Sequence, residues 1–197
     1  LGACPSEIRG LMRVFLLDAF PLDSPDRIVV DEALSTLRSG GHEVIHRVLV
    51  GGPFEAFMSS AEREAYHGET PLTTPEAIED AAILKEVDAL LFCYPTILFT
   101  IPSVLKSWLE RVLVPGVAFV FDHKERIRPG MRNIHHLGTI TSTPHNASVT
   151  RRRRDAGRRT TMRTLRLSCR RFCRCTVVSV SSGSPEIAKI KRALGRW

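Results

Sequence analysis

Long apolar runs are missing from this sequence: nowhere do eighteen apolar residues follow one another, so no helix of it could cross a bilayer. Cysteines are few, and the five present (Cys4, Cys93, Cys169, Cys173, Cys175) are odd in number and unevenly spaced. That excludes a disulfide framework and leads us to expect a reducing, cytoplasmic setting. Cys169, Cys173 and Cys175 also lack the paired spacing and fourth ligand of a structural zinc site, so they read as plain thiols and no metal is expected. Neither a G-x-G-x-x-G turn nor a Walker loop occurs, which removes two common nucleotide-binding classes. The opening residues, LGACPSEIRGLM, have no basic-then-apolar targeting pattern. Residues 1–11 read as a flexible leader, with one domain over 12–197 starting at Met12.

Acidic residues are scarce in one place only. The formal charge of +7 comes from residues 151–174, which hold eleven arginines and a single aspartate; the rest of the chain is net negative. A basic block of this kind can bind nucleic acid, but aromatic residues that could stack on bases are nearly absent, Phe172 standing alone. A polynucleotide partner is therefore disfavoured. Arg151 to Arg154 suit the phosphates of a nucleotide cofactor better, the forked guanidinium matching an extra 2′-phosphate; a solvated surface is the ordinary alternative.

The stretch from Ala89 to Phe121 organises the remainder. Ala89 to Cys93 is an unbroken apolar run, as expected of a strand buried on both faces. Tyr94-Pro95 breaks it, Thr96 to Ile101 forms a loop, and Pro102 suits the first position of a helix. Val104, Leu105, Trp108, Leu109, Val112 and Leu113 then recur at helical spacing, with Lys106, Glu110 and Arg111 assigned to the other face. Pro115-Gly116 ends the unit.

Around it the chain alternates. Strands are expected at Arg13 to Leu17, Glu43 to Val50, Ile134 to Thr141 and Cys175 to Val180. Helices are expected at 28–38, Ser60 to Tyr66, Pro75 to Leu84 and in the Arg-rich segment 158–172. A final helix is capped by Ser182 to Pro185, and a polar connection runs from Phe121 to Asn133. Five strands separated by helices predict a doubly wound α/β sheet in the order 2-1-3-4-5. In such sheets ligands bind beyond the carboxyl ends of the strands, which points to Thr96–Phe99 and a flat, apolar ligand.

The run YPTILFTIPSVLKSWLERVLVPGVAF resembles the flavodoxin-like NAD(P)H:quinone reductase family, including its bacterial drug-modulator and potassium-efflux-ancillary relatives. The matching positions are Pro95, Pro102, Leu105, Lys106, Trp108, Glu110, Arg111, Val112, Gly116, Ala118 and Phe119. Gly41 to Tyr66 is similar to the family's second strand and the segment after it. The resemblance implies a flavodoxin-like fold and a flavin, FMN or else FAD, that takes hydride from NADPH or NADH and passes two electrons to a quinone-like acceptor. A flavin-bearing ancillary subunit of a membrane transporter is the alternative it permits.

It also implies the site. The turn from Phe20 to Ser24 would hold a flavin phosphate, with Phe20 where the family has histidine, although Ser24 also reads as a plain helix cap. Pro95, Thr96, Ile97, Leu98 and Phe99 would line the ring, their amides favouring negative charge on it. Thr141, Ser142 and Thr143 would stand beside the flavin. His145 is a candidate for proton delivery, against the ordinary reading of a lone histidine; His135 and His136 read as structural. Relatives of this kind are homodimers, and the apolar loops 51–58 and 117–121 would suit a second copy.

Overall fold

The structure is a computed structural model, and it describes residues 10–55, 57–145 and 156–197. Five parallel strands form one sheet: β1 (Arg13–Asp18), β2 (Glu43–Val48), β3 (Ala89–Pro95), β6 (His136–Thr143) and β7 (Arg174–Ser181), in the order β2-β1-β3-β6-β7. Counted within the sheet alone this is the expected 2-1-3-4-5. Helices α1 (Ile28–Ser39), α2 (Ser60–Ala65), α3 (Pro75–Glu86), α4 (Ser103–Val112) and α5 (Ala156–Arg159) lie between the strands, and α6 (Ile187–Leu194) follows β7.

Strand alternation sorts the core into two layers. Phe15, Leu17, Leu90, Phe92 and Tyr94 point to the side of α3 and α4. Val14, Leu16, Ala89, Leu91 and Cys93 point to the side of α1 and α6. Trp108 of α4 meets Phe15 and Phe92 edge-on, with ring centroids 6.2 and 6.4 Å away. Its Nε1–H donates to Asp80 Oδ2 of α3 at 2.7 Å, and Asp80 in turn takes Arg47 of β2 at 2.6 Å. This chain of contacts fixes α4, and with it the loop that enters α4.

The helix starts follow capping chemistry. Thr74 accepts the Ala77 N–H ahead of Pro75, and Ser59 with Glu62 forms a reciprocal capping box at α2. Pro102 is the N-cap of α4, one residue before the expected position.

Three expectations are corrected. The connection after Phe121 contains regular structure: β4 (Phe119–Phe121) and β5 (Ile127–Pro129) pair as an antiparallel hairpin outside the main sheet. The Arg-rich segment is mostly helical as expected, α5 passing without a break into a π turn at Thr160–Thr164 and a 3-10 turn at Leu165–Ser168. Glu186, not the Ser182–Pro185 segment, precedes α6 as its N-cap. Arg111 does not face solvent. It is 9% exposed and pairs with Glu62 of α2 at 2.8 Å, while donating to the carbonyls of Pro53 and Phe57 at 2.9 and 3.0 Å. The forked guanidinium thus ties the loop before α2 to both α2 and α4.

Candidate functional site

The carboxyl ends of the parallel strands β1, β3, β6 and β7 lie at one end of the sheet, and the loop after β3 leaves from there. Ile97 and Thr100 exchange backbone hydrogen bonds at 3.1 and 2.8 Å, closing a tight turn over Leu98 and Phe99. Both central residues have positive φ, 47° and 58°, which is the type I′ form that Gly and Asn favour. A bulky residue in the left-handed region costs roughly 1–2 kcal/mol, so this turn is strained twice over.

Neighbours hold it there. The Thr96 N–H donates to Ser142 O at 2.8 Å, and the Ala156 and Gly157 amides donate to Phe99 O at 2.7 and 3.3 Å. The Phe99 ring stacks on His145, centroids 4.8 Å apart and planes 13° from parallel. A Cβ on Gly157 would lie 3.0 Å from Ile101 N and Thr100 C, so only glycine lets α5 approach this closely.

What the turn presents is unusual for a soluble loop. Leu98 is 91% exposed and Ile97 51%, so an apolar surface caps the strand end. Among the described residues the Leu98 and Phe99 amides have no hydrogen-bond partner, and the buried Thr96 hydroxyl has none either. Two free donors and an orphaned hydroxyl beside exposed aliphatic side chains suit a flat ligand with a polar edge.

Not every expected residue takes the expected part. Thr96 and Ile97 use their amides within the fold, so only Leu98 and Phe99 can donate outward. Pro95 closes β3. Thr141, Ser142 and Thr143 end β6 and are buried; Thr143 Oγ1 accepts the His145 N–H at 3.3 Å. His145 is exposed. Arg151 to Arg154 lie outside the described residues, as do residues 1–9.

The first turn is different in kind. The Phe20 side chain is fully buried among the apolar residues packed with α1, and its amide donates to Asp18 Oδ1 at 3.0 Å. Ser24 caps the short helical turn Pro25–Arg27, accepting from the Asp26 N–H at 3.3 Å, while its own amide donates to Pro21 O. Ser24 thus takes the cap position, its hydroxyl accepting one bond. Asp18, itself fully buried, takes Arg27 at 2.8 Å and lies 3.3 Å from His46 Nε2.

Asp26 was not legible as a site residue. It is 4% exposed and accepts the Ser182 hydroxyl at 2.7 Å and the Gly183 N–H at 2.8 Å, tying the loop after β1 to the loop after β7. Burial pushes its pKa up, but the bonds from Gly183, Ser182 and Ser142 outweigh this and hold it below the usual carboxylate value. Cys93, behind the site, is no nucleophile: burial first, then the Asp18 charge, pushes its thiol well up.

The profile of the flavodoxin-like fold family matches residues 12–197. The chain belongs to that family. Among curated relatives, it is 36% identical over 81 residues to an FMN-dependent NADH:quinone oxidoreductase of Gluconacetobacter diazotrophicus, covering 40% of each chain. It is 27% identical over 106 residues to rat NAD(P)H dehydrogenase (quinone) 1, covering 46% of this chain and 39% of that one. The chain thus spans about two fifths of the length of these relatives. Among solved structures, an NAD(P)H:quinone oxidoreductase from Methanothermobacter marburgensis superposes with a TM-score of 0.76 at 20% identity, over 95% of this chain and 97% of that one. An FMN-bound NADH-azoreductase of Bacillus anthracis gives 0.67 at 12% identity, over 93% and 98%. At such identities the structural matches establish the fold.

Proposed function

We propose that this protein is a flavoenzyme that oxidises NADH or NADPH and reduces a quinone-like acceptor to its hydroquinone, with FMN as the bound flavin. The observation that carries the reading is the strained turn Ile97–Thr100, which presents exposed aliphatic side chains and two unpartnered amides at the carboxyl end of a central parallel strand. The orphaned Thr96 hydroxyl is the second sign of fit, since a buried donor without a partner is rare in a finished fold. The curated names of partly matching relatives support the same chemistry.

Flavin, when bound, supplies hydride acceptance from the nicotinamide and two-electron delivery to the acceptor. The chain's own residues provide the setting. Ile97 and Leu98 shield one side of the ligand from water. The Leu98 and Phe99 amides donate where negative charge accumulates, fixed in advance by the turn that holds them. The Thr96 hydroxyl orients the ligand's polar edge. His145, exposed and stacked on Phe99, would hand a proton from a ring nitrogen to the reduced acceptor.

At the first turn the Phe20, Ser24, Asp26 and Arg27 amides are engaged internally, while the Leu22 and Asp23 amides have no hydrogen-bond partner among the described residues and are the donors this turn would offer a flavin phosphate.

We further infer a cytoplasmic homodimer. The four described cysteines are all free thiols, and no helix among the described residues is long and apolar enough to cross a membrane. Phe57, Phe121 and Ile127 are 84%, 59% and 68% exposed and would be covered by a second copy; Phe54, Val117 and Ala118, from the same loops, are buried in this chain's own core and are not available.

The test is direct. Purified protein incubated with FMN should retain it through gel filtration and reduce a soluble quinone with NAD(P)H and no other component. Retained flavin without turnover would point to the ancillary-subunit alternative, and no retained flavin would refute the site.

A further inference from the structure

At the opposite end of the sheet, where β3, β6 and β7 begin, a cavity of about 740 Å³ opens between the strand ends and the last turn of the chain. From His136 to Thr143, β6 spans seven steps of about 3.3 Å, which puts this cavity roughly 23 Å from the Ile97–Thr100 turn. It is a separate place, and nothing in the proposed oxidoreductase chemistry uses it.

Its lining is cationic and aromatic at once. Arg174 and Arg196 are exposed and have neither a hydrogen bond from their guanidinium nor an ion pair among the described residues. Arg170 lies 3.3 Å from both ring nitrogens of His135, so its charge is turned toward the cavity wall and not neutralised. Among its side chains the lining holds one carboxylate, Asp88, and its Oδ2 already accepts the Arg13 N–H at 2.8 Å. Three guanidiniums therefore face one engaged side-chain carboxylate. The positive field is felt locally: burial foremost, then Arg174 and His135, lowers the pKa of His136.

Apolar surface supplies the rest. Trp197 is buried, its ring 5.3 Å from that of His136, and Phe172 stands 78% exposed at the rim with the Arg171 guanidinium 5.4 Å from its ring centroid, over one face. An inorganic anion would use the guanidiniums and leave the open face of Phe172 uncovered. A neutral hydrocarbon would cover the rings and leave unpaired charges partly desolvated, which is unfavourable. One ligand class satisfies both sets of groups, and the volume lies within the usual range for small-molecule sites. We propose that this cavity binds a planar aromatic anion, a ring bearing a carboxylate or a phosphate, through Arg174 and Arg196 with Phe172 covering the ring.

The experiment is calorimetric titration of the full chain, loaded with FMN, using salicylate, AMP and inorganic phosphate as probes. At least one aromatic probe should bind saturably with a Kd tenfold or more below that of inorganic phosphate. Tighter salicylate would assign the ligand as a carboxylate, tighter AMP as a phosphate ester. In the R174A/R196A double variant that Kd should rise at least tenfold; both residues are exposed, so melting temperature and FMN retention should stay unchanged. Phe172→Ala should weaken the aromatic probe about fivefold without altering phosphate binding. The proposal is overturned if no aromatic probe saturates, if inorganic phosphate binds as well as both, or if the double variant binds undiminished. Because FMN retention is read separately, its loss would count against the oxidoreductase reading and not against this site.

Discussion

Replacing Leu98 with glycine should make the flavin-free protein more stable and the flavin complex weaker. Leu98 sits at φ 47° and is 91% exposed, so it contributes almost no buried area while paying the left-handed penalty. That penalty is roughly 1–2 kcal/mol for a residue with a Cβ. Glycine removes it but gains unfolded-chain entropy worth about 0.4–1 kcal/mol. The difference favours L98G by about 1 kcal/mol, which in a domain of this size raises the Tm by about 2–4 °C. Binding moves the other way. Covering half or more of a leucine side chain is worth about 1–2 kcal/mol, so flavin affinity should fall roughly five- to thirty-fold. Thermal unfolding of flavin-free protein and flavin fluorescence titration read the two effects independently. A Tm that falls or stays constant would show that the turn is not strained; unchanged affinity would show that Leu98 does not touch the ligand.

Four other outcomes are expected. Thr96→Val removes a buried hydroxyl that has no partner, so flavin-free protein should gain about 1 kcal/mol by urea unfolding while flavin affinity falls about tenfold. Arg111→Met leaves Glu62 unpaired with both side chains almost wholly buried; urea unfolding should register a loss of about 3–5 kcal/mol, and adding Glu62→Gln should restore part of it. Asp26 and Glu62 are both held below the usual carboxylate value in the folded chain, so the unfolded state takes up more protons as pH falls. Their stabilisation is complete above the ordinary carboxylate pKa and is lost as pH drops through the lower folded values; Asp26→Asn should flatten that acid limb of the urea midpoint. Gly157→Ala forces a Cβ against the Thr100–Ile101 backbone, so quinone reductase activity should fall several-fold with little change in Tm.

The sheet was legible because its signals are local. An unbroken apolar run marked β3, and 3/4 spacing marked the buried face of α4, since periodicity records which side of an element meets the core. Arg111 escaped the same reading for a physical reason. A helical pattern identifies charge but not its surroundings, and nothing near Arg111 in sequence announces that it meets Glu62 and the carbonyls of Pro53 and Phe57, roughly fifty to sixty residues away. Asp26 and Ser182 are separated by 156 positions and meet only because α1 and α6 lie on one face of the sheet. Gly157 reads as one small residue in an Arg-rich stretch until the close approach of Thr100 and Ile101 gives it a reason.

The turn itself is the most instructive case. Its position was legible from the strand that ends at Pro95, but its form was not, because Ile-Leu-Phe-Thr contains none of the glycine or asparagine that a type I′ turn demands. Local preference and observed conformation disagree at both central residues, and the disagreement is sustained by bonds from three directions: Ser142 to Thr96, Ala156 and Gly157 to Phe99, and the ring of His145. A fold selected for stability alone would place glycine here. Keeping leucine and phenylalanine at a cost of a few kcal/mol makes sense if the side chains and the outward amides are needed together, the side chains to cover a ring and the amides to meet its polar edge. Leu98→Gly separates those two requirements, since it keeps the amide and removes the cover.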